Sequence, residues 1–465
     1  MERLRFHIDL HRFVMPLVIV AGCAIAVWLG ITMAQFGYGT REIAILVLVV
    51  TGLVLIFLPS ERILQIGFYI WLLTFGFGWR TLYLTPSLNI HPIEVLAYTL
   101  VFLVLLNNLL RRTPLDLRFP KSVLLLVGLA LMGMMTGIAR GVQFEYLLQE
   151  FKNFLVVIPI FYLVQWFIRD RRHLERVSNL LILVGTYIAL LGMLDFFLPG
   201  LSRSIANDPG VSPVFLAESY AGNTFARVGF IFFGNFTAGF VIFSFFGLTV
   251  HHFFRALGKE NRQAALFGAL IMIQLFGMYL SGFRGLWYAV VGFILAYGLV
   301  RTRAVILLVS GLVAIPFLPE NFMRRFASLF VAGEADSSQL GRFELAQSAL
   351  DSFYRSPIFG VGLTGSGYVH SDLIQIAANL GVFAVLTLGT WWGDLLLKAW
   401  RLQRRRDWHG DYAAALFATL VGNLIVLAGE GTLAFLQLIA PIWLMCVLAY
   451  KLNSLARETE SADAR

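Results

Sequence analysis

Apolar residues run along this chain in uninterrupted blocks of about 20, separated by short polar breaks, from end to end. They do not alternate with polar residues, as the strands of a membrane β-barrel would require. A helical block of that length crosses the ~30 Å hydrocarbon core with its backbone groups bonded within the segment. The pattern therefore predicts an all-α integral membrane protein, a polytopic bundle of about 12–14 transmembrane helices forming one domain over 1–465. Candidate spans are 13–36, 42–58, 63–84, 91–110, 122–139, 153–168, 177–197, 228–250, 264–281, 284–300, 304–318, 371–397, 412–429 and 432–450. The third and fourth read equally well as partly re-entrant. The first block is long for a signal-peptide core, and Ala34-Gln-Phe36 offers no convincing cleavage site, so it is read as retained.

Two polar interruptions are long, 199–226 and 319–369. Loops of that length in a compact protein are usually functional or disordered. The second is expected as a large loop over 319–370, inserted between late spans. Within it Phe343, Ala346, Ala349, Leu350 and Phe353 recur at helical spacing, which predicts an amphipathic helix that needs a surface to lie on. The glycines that follow, at 360, 362, 365 and 367, do not form a phosphate-binding P-loop, because no Gly-Lys-Ser/Thr follows. They read as a flexible hinge at the mouth of a site.

Composition agrees with a membrane assignment. The chain is 58% hydrophobic and only 14% charged, with mean hydropathy +0.78, which excludes an ordinary soluble domain. Its net charge of +9 need not mean nucleic acid. The basic residues concentrate in alternate loops while the acidic ones do not, as the positive-inside rule expects, and this places both termini in the cytoplasm and loop 319–370 outside. Cys23 and Cys446 fall inside predicted spans and give neither a disulfide framework nor a metal spacing. No inverted repeat relates the two halves.

The informative polar residues of a bilayer protein are those at span ends and inside helices. Here they gather at the outer side: Arg80, His91, Glu94, Arg140, Glu145, Glu150, Lys152, Asp195, Arg227, Arg284, Arg342, His370, Asp372 and Glu430. That argues for a site at the outer membrane–water boundary and against an ion path at mid-depth. Arg284 reads either as a snorkelling arginine beside Trp287 or as an anion clamp, with Gly282 and Gly285 allowing close backbone approach. Arg227, at the predicted opening of span 228–250, has the same two readings. Arg342 is either a solvated arginine paired with Glu344 or Asp336, or a substrate contact. Arg140 and Lys152 read as partners of Glu145 and Glu150, or as substrate contacts. His370 precedes span 371–397, where the helix dipole disfavours imidazolium and Asp372 favours it. A neutral imidazole there can act as general base, or it simply caps the helix. Asp372, Gln375 and Asn379 fall on one stripe of that helix and could support or bind a sugar. No metal constellation is visible, and no cofactor is expected.

These motifs together resemble the O-antigen ligase and O-antigen polymerase superfamily. The carrying residues are Gly341-Arg342, then Ser356-Pro-Ile-Phe-Gly-Val-Gly362, then His370 opening a helix that reaches Asn379-Leu-Gly381. Two upstream stretches fit as well: Ser281-Gly-Phe-Arg284-Gly285, and Arg227-Val-Gly229 with Asn235. The departures are Ser371 where the family has Asn after the histidine, Asn379 where Glu is common, Phe283 in place of Ser, and no proline beside Asn235. A count of fourteen spans leans toward a polymerase.

The resemblance implies a bacterial inner-membrane glycosyltransferase, metal-independent and inverting, with its site on the periplasmic face. The donor would be a glycan on undecaprenyl diphosphate. The acceptor would be lipid A–core in a ligase or a second lipid-linked glycan in a polymerase, with a chain-length regulator as protein partner. His370 would be the general base and Arg284 the catalytic clamp. Arg227 and Arg342 would bind substrate, with Asp372, Gln375 and Asn379 lining the sugar. A transporter or flippase of lipid-linked sugars is the alternative, and it calls for mid-membrane charge and two related halves. A structural scaffold stands third.

Overall fold

A computed structural model of the chain describes residues 61–76, 82–83, 89–110, 119–198, 216–220, 223–227, 235–257, 259–301, 337–432 and 435–463. The spans expected at 13–36, 42–58 and 304–318 lie outside the described residues. The described helices are α1 (Glu61–Leu73), α2 (Pro92–Leu110), α3 (Lys121–Ala139), α4 (Phe144–Leu155), α5 (Val157–Phe167), α6 (Arg171–Phe197), α7 (Asn235–Ala256), α8 (Asn261–Leu280), α9 (Arg284–Val300), α10 (Ser337–Arg355), α11 (Asp372–Leu402), α12 (Trp408–Gly429) and α13 (Leu436–Asp463). Two small antiparallel hairpins accompany them: β1 (Leu82–Tyr83) with β2 (Asn89–Ile90), and β3 (Leu216–Tyr220) with β4 (Asn223–Arg227). Eight of the described helical segments are long and apolar enough to cross a membrane, and Pro92–Asn108 and Gly285–Val300 are shorter apolar helices. The chain is an all-α polytopic membrane protein.

Three expected spans take a different form. Segment 63–84 is the 13-residue α1, closed by a tight turn at Thr74–Gly76 and followed by β1. Such a helix is about 20 Å long and too short to span alone. Segment 153–168 begins earlier, at Phe144, because α4 runs into α5 with a break at Val156. Pro159 explains the break, since its ring cannot coexist with a regular helical carbonyl at Leu155. In segment 228–250 the described helix is Asn235–Ala256, with 228–234 outside the described residues, and Arg227 ends β4, paired in register with Leu216.

The interior is filled by large aromatic side chains from distant elements. Trp391 of α11 lies 5.1 Å from Trp443 of α13, and Phe68 of α1 stacks at 4.5 Å on Phe167 of α5. In lipid such packing matters more than removal from water, because lipid tails are as apolar as the side chains. Polar ends are closed by pairs. Glu175 of α6 holds Arg255 of α7 at 2.6 Å, and Arg301 after α9 meets Asp411 of α12 at 2.9 Å. These pairs tie the helix ends opposite to those that carry His370.

The glycine-rich segment 356–367 differs most from its expected form. It is locked down, not a hinge. α11 breaks at Gly381, with φ 80° and ψ −177°. The break frees backbone groups, and the loop supplies their partners. Val361 N donates to Ala378 O at 2.8 Å, Gly362 N donates to Asn379 O at 2.9 Å, and Val382 N donates to Pro357 O at 2.8 Å. On the loop's other side, Leu363 N donates to Gly133 O of α3 at 3.0 Å. Gly133 and Gly137 form a small-residue groove one helical turn apart, and a Cβ on Gly362 would sit 2.8 Å from Gly137 N. The loop thus plugs a broken helix, satisfying groups that lipid could not.

At Gly381 a Cβ would lie 2.1 Å from Ile358 O, in a backbone conformation open almost solely to glycine. Gly381→Ala should cost about 2–5 kcal/mol from strain and overpacking together. Gly389→Ala on the same helix meets nothing within 4 Å and serves as control. Thermal unfolding of the two variants in detergent should show a marked drop for position 381 only; equal melting temperatures would refute the plug.

Candidate active site

Glu430 lies at the centre of the polar cluster that the structure assembles. It follows the C-terminus of α12 and is only 3% exposed. One oxygen, Oε1, accepts from Arg342 of α10 at 3.1 Å. The other, Oε2, has no hydrogen-bond partner among the described residues and lies 3.7 Å from His370 Nδ1. A Cβ added to Gly285, the second residue of α9, would come within 3.2 Å of the same carboxylate. The starts of α9 and α11 therefore converge on Glu430. Both present the positive end of a helix dipole, which favours anions.

His370 sits just before Ser371, the N-cap of α11, whose hydroxyl accepts from Ile374 N. Its imidazole is about a quarter exposed, at 28%. Nδ1 lies 3.4 Å from the Tyr368 hydroxyl, with the two rings edge to face at 4.8 Å, and Nε2 makes no hydrogen bond among the described residues. Burial pushes the Tyr368 phenol up to about 12, helped by the Glu430 and Asp372 carboxylates, so it stays protonated. Gly431 lets this strand of chain pass close: a Cβ there would meet Val369 O at 2.5 Å.

The polar stripe on α11 forms as its spacing predicts, but each member has a partner inside the protein. Asp372 is fully buried and accepts from Thr432 N at 2.9 Å and from the Thr432 hydroxyl. Its own N donates to Glu430 O at 3.2 Å, so it pins the Glu430-Gly-Thr432 turn. Gln375 and Asn379 reach Glu150 of α4, at 3.4 and 3.0 Å to Oε1, and Glu150 Oε2 accepts from Thr364 N at 2.6 Å. Asn379 Oδ1 in turn accepts from Ser366 N at 3.1 Å. Lys152, two residues beyond Glu150 in α4, pairs with Glu94 of α2 at 2.9 Å.

The structure brings His370, Arg342 and the backbone of Arg284–Gly285 together around Glu430. Arg342 pairs with Glu430, where one sequence reading had Glu344; Asp336, the other expected partner, lies outside the described residues. The expected helix of loop 319–370 is α10, and its Ala346, Ala349 and Phe353 pack with Ile374 and Ala378 of α11 and Val369. Phe343, expected on that face, is 73% exposed instead. Arg227 is placed in β4 at a register position only. Sequence reasoning missed Glu430 and Glu150 as members of the cluster. The available signal was a carboxylate at the end of an apolar helix for Glu430 and one within α4 for Glu150, and one-dimensional spacing does not show what such a group faces. Among the described residues no group of three or more His, Cys, Asp or Glu side chains could hold a metal ion.

Glu150→Ala would leave the Thr364 N–H and two carboxamides without their acceptor, at about 2 kcal/mol of local stability. Amide hydrogen exchange at Thr364 and Ser366 should then speed up roughly 30-fold. Glu150→Gln, which keeps one acceptor oxygen, should fall between. Unchanged exchange in Glu150→Ala would remove the clamp role.

Residues 267–389 match the family model described as O-Antigen ligase. The matched segment contains Arg284, Arg342, the glycine-rich plug, His370 and the break at Gly381, while Glu150, Arg227 and Glu430 lie outside it. No curated protein matches the chain. A match over that segment, on a polytopic helical membrane protein, supports placing the chain in the O-antigen ligase/polymerase superfamily.

Proposed function

We propose that the protein is a glycosyltransferase that moves a glycan from undecaprenyl diphosphate to an acceptor hydroxyl at the periplasmic face of the inner membrane. The observation that carries this reading is the half-open His370 imidazole. Its Nε2 is free among the described residues, and it stands beside a buried carboxylate where two helix N-termini converge. Such a place suits both parts of the reaction, an anionic leaving group and a hydroxyl that must lose its proton. The acceptor oxygen attacks the anomeric carbon from the side opposite the diphosphate. The new C–O bond forms as the C–O bond to diphosphate breaks, and configuration inverts. The hydroxyl proton passes to His370 Nε2, and polyprenyl diphosphate leaves with the bonding pair.

Arg284, with Arg227, neutralises the diphosphate as its charge grows in the transition state. Arg342, on a lid helix, exchanges Glu430 for the substrate. Asp372, Gln375 and Asn379 serve the sugar pocket indirectly, by fixing the Glu430 turn and the glycine plug that shape it. The acceptor is lipid A–core for a ligase or a second lipid-linked glycan for a polymerase, the latter working with a chain-length regulator. Both termini are cytoplasmic in this arrangement, in keeping with the alternating basic loops.

The deciding experiment is a purified assay with an undecaprenyl-diphosphate-linked oligosaccharide, with and without lipid A–core. Glycosidic bond formation with release of lipid diphosphate is the expected result. His370→Ala should lose at least about 100-fold in rate while still inserting. Arg284→Lys should also lose most activity, because an ammonium cannot make the guanidinium's two-pronged contact. No bond formation, together with movement of intact donor across vesicles, would establish the transporter instead. A reporter fused at Ser337 should be periplasmic, and a cytoplasmic reporter would overturn the placement of the site.

A further inference from the structure

Two neighbours of His370 ask for opposite tautomers. The Tyr368 hydroxyl has Nδ1 as its one hydrogen-bond partner among the described residues, 3.4 Å away, and as a donor to it, the stronger role of a phenol, it leaves the ring proton on Nε2. A ring in that form cannot take a proton at Nε2. A carboxylate can only accept, so a bond from Nδ1–H to Glu430 Oε2 leaves Nε2 with its lone pair. The tyrosine is the nearer of the two, at 3.4 Å against 3.7 Å. The carboxylate is also drawn toward Arg342, which holds its other oxygen at 3.1 Å. Yet Oε2 is buried without a hydrogen-bond partner, a state that costs free energy until something donates to it. A shift of under about 1 Å would bring the pair to an ordinary hydrogen-bond length.

We propose that Glu430 is the positioning residue of His370, and that Arg342 keeps the imidazole in its idle tautomer until a diphosphate draws Arg342 away. The groups that face the imidazole are Tyr368 from the preceding turn, Asp372 on α11, Glu430 beyond α12, and Arg342 through Glu430. Asp372 is occupied by Thr432, so the choice lies between Tyr368 and Glu430. Arg342 is the exposed member of its pair, 38% against 3%, and an anion can therefore reach it without entering the protein. A diphosphate carries more negative charge than one carboxylate and can take both prongs of the guanidinium, where Glu430 takes one. Once released, Glu430 can turn Oε2 to Nδ1–H of His370, 3.7 Å away. Donor binding thus arms the base, and the acceptor hydroxyl is activated only when a leaving group is in place. The inference rests on the glycosyl-transfer reading, but its primary test does not.

The test is the nitrogen-15 spectrum of His370 in the full-length protein in nanodiscs, assigned by difference against His370→Gln. Farnesyl diphosphate is the probe. The free protein should carry the proton on Nε2, and the probe should move it to Nδ1. Tyr368→Phe and Arg342→Ala should each show the Nδ1–H form without the probe. Glu430→Gln, whose amide can donate to Nδ1, should stay in the Nε2–H form with it. Transfer by Glu430→Gln should fall roughly 100-fold in kcat, with donor KM little changed. A tautomer that ignores Tyr368→Phe, Arg342→Ala and the probe overturns the proposal, even if Glu430→Gln fails to fold. A tautomer that switches in a protein with no glycan transfer removes the enzymatic reading and leaves the switch standing.

Discussion

A helix broken inside a bilayer protein must have its backbone groups satisfied by something other than water. In this protein the something is a loop. The α11 break at Gly381 exposes carbonyls at Ala378 and Asn379 and an amide at Val382, and segment 357–362 bonds all three. From that constraint the rest of the site follows. The loop must contain glycines, because it passes against Asn379 on one side and Gly137 on the other. It must end near the start of α11, and that fixes Tyr368 and His370. Glu150 clamps its far end through Thr364 and Asn379. The catalytic imidazole in the proposed reaction is thus held by the repair of a broken helix.

A second constraint is electrostatic. Glu430 is almost fully buried, and a buried carboxylate needs compensation. It finds Arg342, the starts of α9 and α11, and the neighbourhood of His370. Each is also what an anionic substrate would seek. A side-chain carboxylate thereby stands among the groups where substrate charge is proposed to go. Lys152 and Glu94 show the contrasting case: a buried pair within the bundle, in which each charge neutralises the other.

The fold was largely legible in the sequence, because a span announces itself by length and apolarity alone. α10 was legible too, through the spacing of Ala346, Ala349 and Phe353. The sequence pointed to the candidate site where a local signal existed: His370 before an apolar helix, glycines around Arg284, a polar stripe on α11. What failed were inferences about partners. Glycines at 360–367 read as freedom, whereas each close approach they permit removes freedom. Asn379 and Gln375 read as contacts for sugar, whereas a carboxylate 229 positions away in the chain meets Asn379. Arg227 read as a helix start, because nothing local distinguishes a strand end from a residue that opens a helix. Glu430 was one of many outer polar residues until three elements were seen to surround it.

That separation of 229 positions between Glu150 and Asn379 has a consequence for biosynthesis. At about 5–20 residues per second, α4 is made roughly 10–45 s before the segment that partners it. Through that interval Glu150 sits on an apolar segment with none of its three donors yet synthesised. The ribosome-bound chain must therefore keep α4 near water, at the mouth of the translocon or in a hydrated gap, and dock it only once α11 has arrived. Assembly of the outer half of the bundle becomes a late event, completed by the C-terminal third of the chain. A nascent protein stalled before residue 379 carries an unneutralised acid in its membrane domain, the kind of defect that membrane quality control can read.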